Sequence, residues 1–175
     1  MEVDSKLVRL AKSGDTQAFS EIYTNIYKEL YRYAYYMLNN REDAEDVVAE
    51  AVLDMYRSIG KLKDDEKFGC WAMTILSNKC RMKRKQYVVA HERICQEEIQ
   101  NLKADNQDLE QKYDIEAAMD ALDEEERNVV LMSVFAGLKS HEIGACMNMK
   151  PTTIRSKLSR ALAKMQVYLE IRIGG

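Results

Sequence analysis

The chain has 175 residues, 46% of them hydrophobic, enough for one ordinary domain or two small ones with real cores. One proline and seven glycines leave little turn chemistry for a set of short strands, and Leu, Met, Ala, Glu and Lys at helical spacing predict an all-α fold. The net charge of −3 is a sum of unlike parts: 15 basic and 14 acidic groups in residues 1–86 (+1), 3 and 13 in 87–126 (−10), and 8 and 2 in 127–175 (+6), so the isoelectric point excludes no nucleic-acid partner.

Met1-Glu2-Val3-Asp4 lacks the basic-then-apolar layout of a secretory signal, and no apolar run approaches a membrane span; a cytoplasmic protein without membrane insertion is expected. Val3 to Lys12 suits a short helix, broken at Ser13-Gly14, with Asp15 as the next N-cap. Phe19, Ile22, Tyr23, Ile26, Leu30, Tyr33, Ala34, Met37 and Leu38 then recur every three or four residues, one broad apolar stripe that Asn39-Asn40 should end. Tyrosines at this spacing are expected in the core, with hydroxyls at its edge, rather than as a platform for bases.

The next helix runs from about Glu42 to Ser58, with Ala44, Val47, Val48, Ala51, Val52 and Met55 on one face. Six carboxylates and no basic residue lie between Glu42 and Tyr56. The acidic face therefore has no i,i+4 partners of its own, which suggests a basic partner outside the helix, although an ordinary solvated face is by itself the commoner case. Gly60 to Glu66 reads as a polar connection, after which Phe68, Trp71, Ala72, Ile75 and Leu76 mark another amphipathic helix. It ends in Lys79, Arg81, Lys83, Arg84 and Lys85, where basic groups can attract phosphates while Trp71, Thr74 and Asn78 could hold unstacked bases, the alternative being that Trp71 is a buried core residue. Residues 87–112 are polar and acidic and read as a linker.

Asp123 and Glu126 have capping-box spacing, and Gly137 can close the helix that follows. Ser140 is a candidate N-cap for a short helix carrying Ile143, Cys146 and Met147, and Asn148 suits a tight turn with positive φ. Pro151 fits the first turn of a third helix. Ile154, Leu158, Ala161, Leu162 and Met165 fall on one side of it, and Thr152, Ser156, Ser159, Arg160 and Ala163 on the other. A short helix, a tight turn and a second helix with a small, basic outer face make a helix-turn-helix fitted to the major groove. Arg155, Lys157, Arg160 and Lys164 are assigned mainly to phosphates.

Cys70, Cys80, Cys95 and Cys146 are scattered, with no CxxC pair. Four reduced, mostly buried thiols are expected, with neither a disulfide framework nor a metal site. The two histidines, His91 and His141, sit in no nucleophile, metal or phosphate-loop pattern, so no catalytic residue and no cofactor is expected.

The order of segments resembles the extracytoplasmic-function (ECF) subfamily of sigma-70 RNA polymerase sigma factors over nearly the whole chain. Asp43-Ala44-Glu45-Asp46-Val47-Val48, continuing through Glu50-Ala51, is similar to the subfamily's core-binding helix. Phe68-Gly69-Cys70-Trp71 with Asn78 is similar to its promoter-melting segment. Leu122-Asp123 through Ala161, including Leu138, Glu142-Ile143 and Thr153-Ile154-Arg155-Ser156-Lys157-Leu158, is similar to its carboxy-terminal domain. The resemblance implies two small helical domains, region 2 at 1–86 and region 4 at 113–175, joined by the acidic linker 87–112. It implies that Asp43, Asp46, Val47 and Glu50 meet core RNA polymerase. Lys67, Trp71, Thr74, Asn78, Lys79 and Arg81 would meet minus-ten promoter DNA, with the connection Lys63 to Lys67 as the base-capturing loop. Pro151, Thr152, Thr153, Arg155, Ser156, Lys157 and Arg160 would meet minus-thirty-five DNA. An anti-sigma factor is the further expected partner.

Asn148 stands where the subfamily has a turn glycine, Lys150-Pro151-Thr152 replaces a Ser-Val-Gly-like start, and Gly69-Cys70 replaces a more polar pair. Two other readings compete. A stand-alone helix-turn-helix regulator would bind duplex tightly without polymerase; a protein-only helical adaptor would tolerate charge reversal at Arg155 and Arg160.

Overall fold

A computed structural model describes residues 1, 3–94 and 110–173, with side chains described for 1, 3–87 and 115–170. Among the described residues there is helix and turn but no strand. Helix α1 (Ser5–Lys12) starts where the Asp4 carboxylate accepts the Lys6 N–H at 2.8 Å, slightly later than Val3. Gly14 turns the chain at φ +97, and Asp15 caps α2 (Thr16–Leu38) by accepting from the N–H groups of Gln17 and Ala18. Asn39 ends α2 in the left-handed conformation, φ 52, and Asn40 caps α3 (Arg41–Ser58). One asparagine closes a helix and the next opens another, because a short amide tolerates positive φ and can accept an orphan N–H.

Two single 3-10 turns, Ile59–Lys61 and Asp65–Lys67, carry the chain to α4 (Phe68–Ile94). Helix α4 continues through the basic tract and past residue 86, so the first part of the expected linker is helical. The stretch 95–109 lies outside the described residues.

The carboxy-terminal helices are α5 (Glu110–Asp120), α6 (Glu124–Val134), α7 (Ser140–Met147) and α8 (Pro151–Ile173). The capping box forms as read: Asp123 accepts the Glu126 N–H at 2.7 Å and Glu126 accepts the Asp123 N–H at 3.2 Å. Gly137 takes φ +64. Helix α7 differs from expectation, because Ser140 is its first helical residue and Lys139 the cap. The Glu142 carboxylate reaches back to accept the Lys139 N–H at 2.7 Å, so the orphan donor is satisfied from inside the helix. Asn148 takes φ 54, and the Met149 N–H closes the turn on the Gly144 carbonyl at 2.8 Å.

Helices α1 to α4 form one bundle and α5 to α8 a second, and α4 packs on α7 while α2 packs on α6. A continuous apolar core joins them, from Leu30, Met55 and Leu76 to Leu131, Ile143 and Ile154. Each large buried side chain contributes roughly 1.5–3 kcal/mol relative to exposure. At the junction the Tyr33 hydroxyl donates to Asn128 Oδ1 at 2.6 Å, Tyr35 donates to Glu116 at 2.8 Å, and the Tyr36 and Phe135 rings stack at 5.5 Å.

The tyrosines of α2 divide between two faces. Tyr33 is fully buried as expected. Tyr23, Tyr27, Tyr31 and Tyr35, spaced four apart, instead form a ladder of ring contacts at 5.5–6.2 Å, with Tyr23 and Tyr27 exposed. Four-residue spacing lays the rings along one line of the helix surface.

The cysteines are not all reduced. A disulfide joins Cys70, in the first turn of α4, to Cys146, in the last turn of α7, with Cα atoms 5.9 Å apart. Cys80 is buried and free, its thiol pKa pushed up to about 12 by burial. Residue 95 lies outside the described residues. Seventy-six residues separate the bridged pair, so no local spacing could reveal it.

Candidate polymerase and nucleic-acid interfaces

Three surfaces hold the residues singled out from the sequence. The first is α3, whose buried side holds Ala44, Val47, Val48, Ala51 and Met55. Val47 is 4% exposed, so it packs inward and is a core position rather than a contact for a partner. The expectation of unpaired carboxylates also changes. Lys83 of α4 lies 2.5 Å from Asp43, and Lys79 bridges Glu50 at 3.2 Å and Asp54 at 2.9 Å. The partners come from the neighbouring helix, which i,i+4 counting cannot see.

Burial opposes the charge on Asp43, but hydrogen bonds from Lys83 and Tyr87 and the nearby ammonium prevail and hold its pKa below the ordinary value. Lys79 and Lys83 are correspondingly raised, each chiefly by a hydrogen bond to its carboxylate. Glu42, Glu45 and Asp46 remain exposed and without an ion pair among the described residues. They are the carboxylates of α3 that no basic side chain among the described residues neutralises.

The second surface runs along α4. Trp71, Thr74, Asn78 and Arg81 recur at helical spacing on one stripe. Trp71 is half-buried against Phe68, with ring centroids 5.6 Å apart. The Thr74 hydroxyl donates to the Cys70 carbonyl at 2.8 Å, and Arg81 donates to the Asn78 amide oxygen. Lys79 faces α3 and stands apart from this stripe. In the preceding connection Lys67 is exposed and pairs with Asp64 at 3.3 Å. Asp65 is tied to α1 by Lys12 at 2.6 Å, which fixes the connection against the bundle.

The third surface is the outer face of α8, positioned by the α7 turn. Pro151, Thr152, Thr153, Arg155, Ser156 and Arg160 are exposed. Ser156 bonds back to the Thr152 carbonyl at 3.1 Å, and Arg160 to the Ser156 carbonyl at 3.4 Å. Lys157 pairs with Glu125 of α6 at 2.7 Å, and Lys164 with the buried Glu126 at 2.6 Å. These two lysines, assigned to phosphates from the sequence, thus brace α8 on α6, leaving Arg155 and Arg160 as cations without an acidic partner among the described residues.

Gly144 was not singled out from the sequence, yet it sets this geometry: a Cβ there would lie 2.6 Å from the Met149 carbonyl oxygen. A glycine inside an eight-residue helix was the available signal, since such a residue usually marks a close approach. The burial of the Glu126 and Arg127 charges was not legible in the sequence. Arg127 pairs with Asp120 at 3.0 Å, and burial lowers its pKa despite that partner.

The second surface faces the carboxy-terminal helices α6 and α7. A cleft of about 450 Å³ lies between the domains, lined by Asn78 and Arg81 on one side and by Glu124, Asn128, Cys146 and Met149 on the other. Among the described residues no cluster of metal-ligating side chains is present, and no helix is long and apolar enough to cross a membrane.

An all-helical pair of bundles, one bearing an aromatic and basic stripe and the other a helix-turn-helix with exposed arginines, defines a two-domain nucleic-acid-binding protein. The Sigma-70 region 2 family matches residues 22–87 and the Sigma-70, region 4 family matches 112–165. The chain belongs to the sigma-70 family of RNA polymerase sigma factors, in its ECF subfamily.

It is 30% identical over 148 residues to the ECF RNA polymerase sigma factor SigE of Mycolicibacterium smegmatis, covering 80% of this chain and 57% of that protein. It is 28% identical over 179 residues to SigW of Bacillus subtilis, covering 94% and 95%. The fold is similar to the sigma factor RpoE solved with the anti-sigma factor NepR from Bartonella quintana, with TM-score 0.75 and 18% identity over 89% of this chain and 99% of that one. It is likewise similar to CnrH solved with the cytosolic domain of CnrY, with TM-score 0.75 and 19% identity over 97% and 99%. As a sigma factor, the chain directs transcription initiation.

Proposed function

We propose that the three surfaces divide the work of initiation. The exposed carboxylates of α3, Asp46 foremost with Glu42 and Glu45 beside it, bind a basic helical element of core RNA polymerase, and Asp43 and Glu50 border that contact. The α4 stripe of Trp71, Thr74, Asn78 and Arg81, with Lys67 at its approach, holds the melted minus-ten strand. An aromatic face stacks a base while amide and guanidinium groups bind its edge and backbone.

The α8 face docks on minus-thirty-five duplex, with Arg155 and Arg160 on phosphates or guanine edges and the hydroxyls of Thr152, Thr153 and Ser156 close to the groove. Pro151 sets the angle of entry. The protein works as a binding and positioning subunit without chemistry of its own, in the compartment that holds RNA polymerase.

The observation that carries this reading is the exposed Arg155 and Arg160 pair on a helix whose other lysines are engaged internally. It leaves a compact cationic face with small side chains around it. Splitting the contact between two modest sites makes promoter affinity depend on both being held by polymerase. An anti-sigma factor is the natural further partner, supported by the bound state of the Bartonella relative.

The experiment is retention of the chain by purified core RNA polymerase, compared with an Asp46→Arg, Glu50→Arg variant of verified fold. Retention of the parent and loss of the variant supports the assignment of α3. Tight duplex binding with no retention by polymerase favours the stand-alone regulator.

A further inference from the structure

We propose that Cys70 and Cys146 are a reversible redox-modification site, a disulfide latch that holds the helix-turn-helix domain against the minus-ten stripe and keeps the factor from opening on a promoter. The proposal rests on the assignment of α4 and α8 to the two promoter elements. Cys70 is adjacent to Trp71 on α4, and Cys146 lies two residues before the α7–α8 turn. Their Cα separation of 5.9 Å is within the span of an ordinary disulfide. Asn78 and Arg81 of the stripe face the cleft that α6 and α7 close from the other side.

The geometry makes the latch decisive. Minus-ten and minus-thirty-five elements are about 25 base pairs apart, roughly 85 Å of duplex at 3.4 Å per step. Two domains joined sulfur to sulfur at Cys70 and Cys146 cannot part to occupy both elements. Without the bond, the junction is held by the shared apolar core, by polar contacts from Tyr33 to Asn128, Tyr35 to Glu116, Arg84 to Glu124 at 3.9 Å and the Met1 amine to the Ala136 carbonyl, and by the Tyr36–Phe135 stack. All of these are non-covalent, so the domains can part when polymerase and promoter contacts replace them, whereas the sulfur–sulfur bond cannot be exchanged in that way. The cleft lined by Cys146 gives a small oxidant or reductant access to the bridge. Cys80 does not compete, being fully buried with its pKa raised by burial.

The oxidant is a peroxide. A thiolate at one cysteine attacks hydrogen peroxide, breaking the O–O bond to give a sulfenic acid and, with a proton, one water. The second thiol displaces the sulfenic oxygen, forming the S–S bond and releasing the second water. Two thiols thus lose two electrons and two protons to one peroxide. A dithiol reductant reverses the step by exchange, as suits a bridge in a compartment where thiols are normally kept reduced.

The test uses the full chain with Cys95→Ser as background, beside Cys70→Ser and Cys146→Ser variants. Three quantities are read: peptide mapping after hydrogen peroxide, the radius of gyration by X-ray scattering, and run-off transcription with core polymerase from promoters mapped on genomic DNA with the reduced protein. The expected result is a Cys70–Cys146 peptide, a radius fixed at the compact value in the oxidised form but larger in the reduced form, and a fall in initiation of at least tenfold. Dithiothreitol should reverse all three, and each serine variant should change by less than twofold with peroxide. Absence of the bridged peptide overturns the proposal, as does a bridged chain that initiates within twofold of the reduced one. If the reduced chain initiates nowhere while the bridge forms and fixes the radius, the promoter assignment has failed and the latch's effect on initiation falls with it.

Discussion

Replacing Gly144 by alanine should destabilise the chain, although the same change in an unobstructed helix would stabilise it. Alanine is favoured over glycine in a helix interior by about 1 kcal/mol. At Gly144 the new Cβ would lie 2.6 Å from the Met149 carbonyl oxygen, about 0.8 Å inside ordinary contact at 3.4 Å, with the Pro151 nitrogen 3.6 Å away. The obstructing atoms are backbone, and that backbone is held by the Met149 N–H bond to Gly144 and by the Asn148 turn. It cannot swing away as a side chain would.

Overpacking of this kind costs typically 1–3 kcal/mol; the propensity gain of about 1 kcal/mol offsets part of it, and because rigid backbone puts the cost in the upper part of that range the net loss is up to about 2 kcal/mol. Urea denaturation of the full chain, followed by circular dichroism, should show a lower midpoint for Gly144→Ala, with weakened binding of minus-thirty-five duplex by the holoenzyme because α8 is displaced. A midpoint equal to or above that of the parent would refute the close-approach argument.

Other outcomes follow from the same contacts. Asp43 has a lowered pKa in the folded state, so its stabilising contribution is fully present above the unfolded value of about 3.9 and is lost as pH falls through the lower folded value. The thermal midpoint of the parent should therefore drop towards that of Asp43→Asn between about pH 5 and pH 2; a pH-independent difference would count against the Lys83 and Tyr87 contacts. At Asn148, glycine should be neutral or slightly stabilising, while valine should cost roughly 1–2 kcal/mol because φ is positive there; equal denaturation midpoints would contradict this. Asp123→Ala should cost about 1 kcal/mol through loss of the capping box, read as a lower denaturant midpoint. Arg155→Glu with Arg160→Glu should abolish minus-thirty-five binding in a mobility-shift assay with holoenzyme while leaving retention by core polymerase unchanged; intact promoter binding would favour the protein-only adaptor.

Local rules recovered most of the helix boundaries because the groups that decide them are adjacent in the chain. Asp15, Asn39, Asn40, Asp123, Gly137, Asn148 and Pro151 each act through their own backbone or that of residues within a turn. The failures are equally physical. Ser140 was expected to cap α7, but Glu142 supplied the acceptor from within the helix. The acidic face of α3 looked unpartnered because its lysines arrive from α4, and Val47 was assigned to polymerase by resemblance although periodicity had already put it on the apolar face, where it is buried.

The sequence by itself determined the all-helical class, the two amphipathic halves with an acidic stretch between them, and the basic outer face of the last helix. All of these depend on periodicities of three or four residues and on charge counted along the chain. Only the tertiary structure decided which charges remain free. Lys79, Lys83, Lys157 and Lys164 are engaged by carboxylates on other helices, far away in the chain, whereas Arg155 and Arg160 are not. It also brought Cys70 to Cys146 and closed α7 over α4, because contacts between domains depend on how two finished surfaces fit, and no short-range pattern encodes that fit.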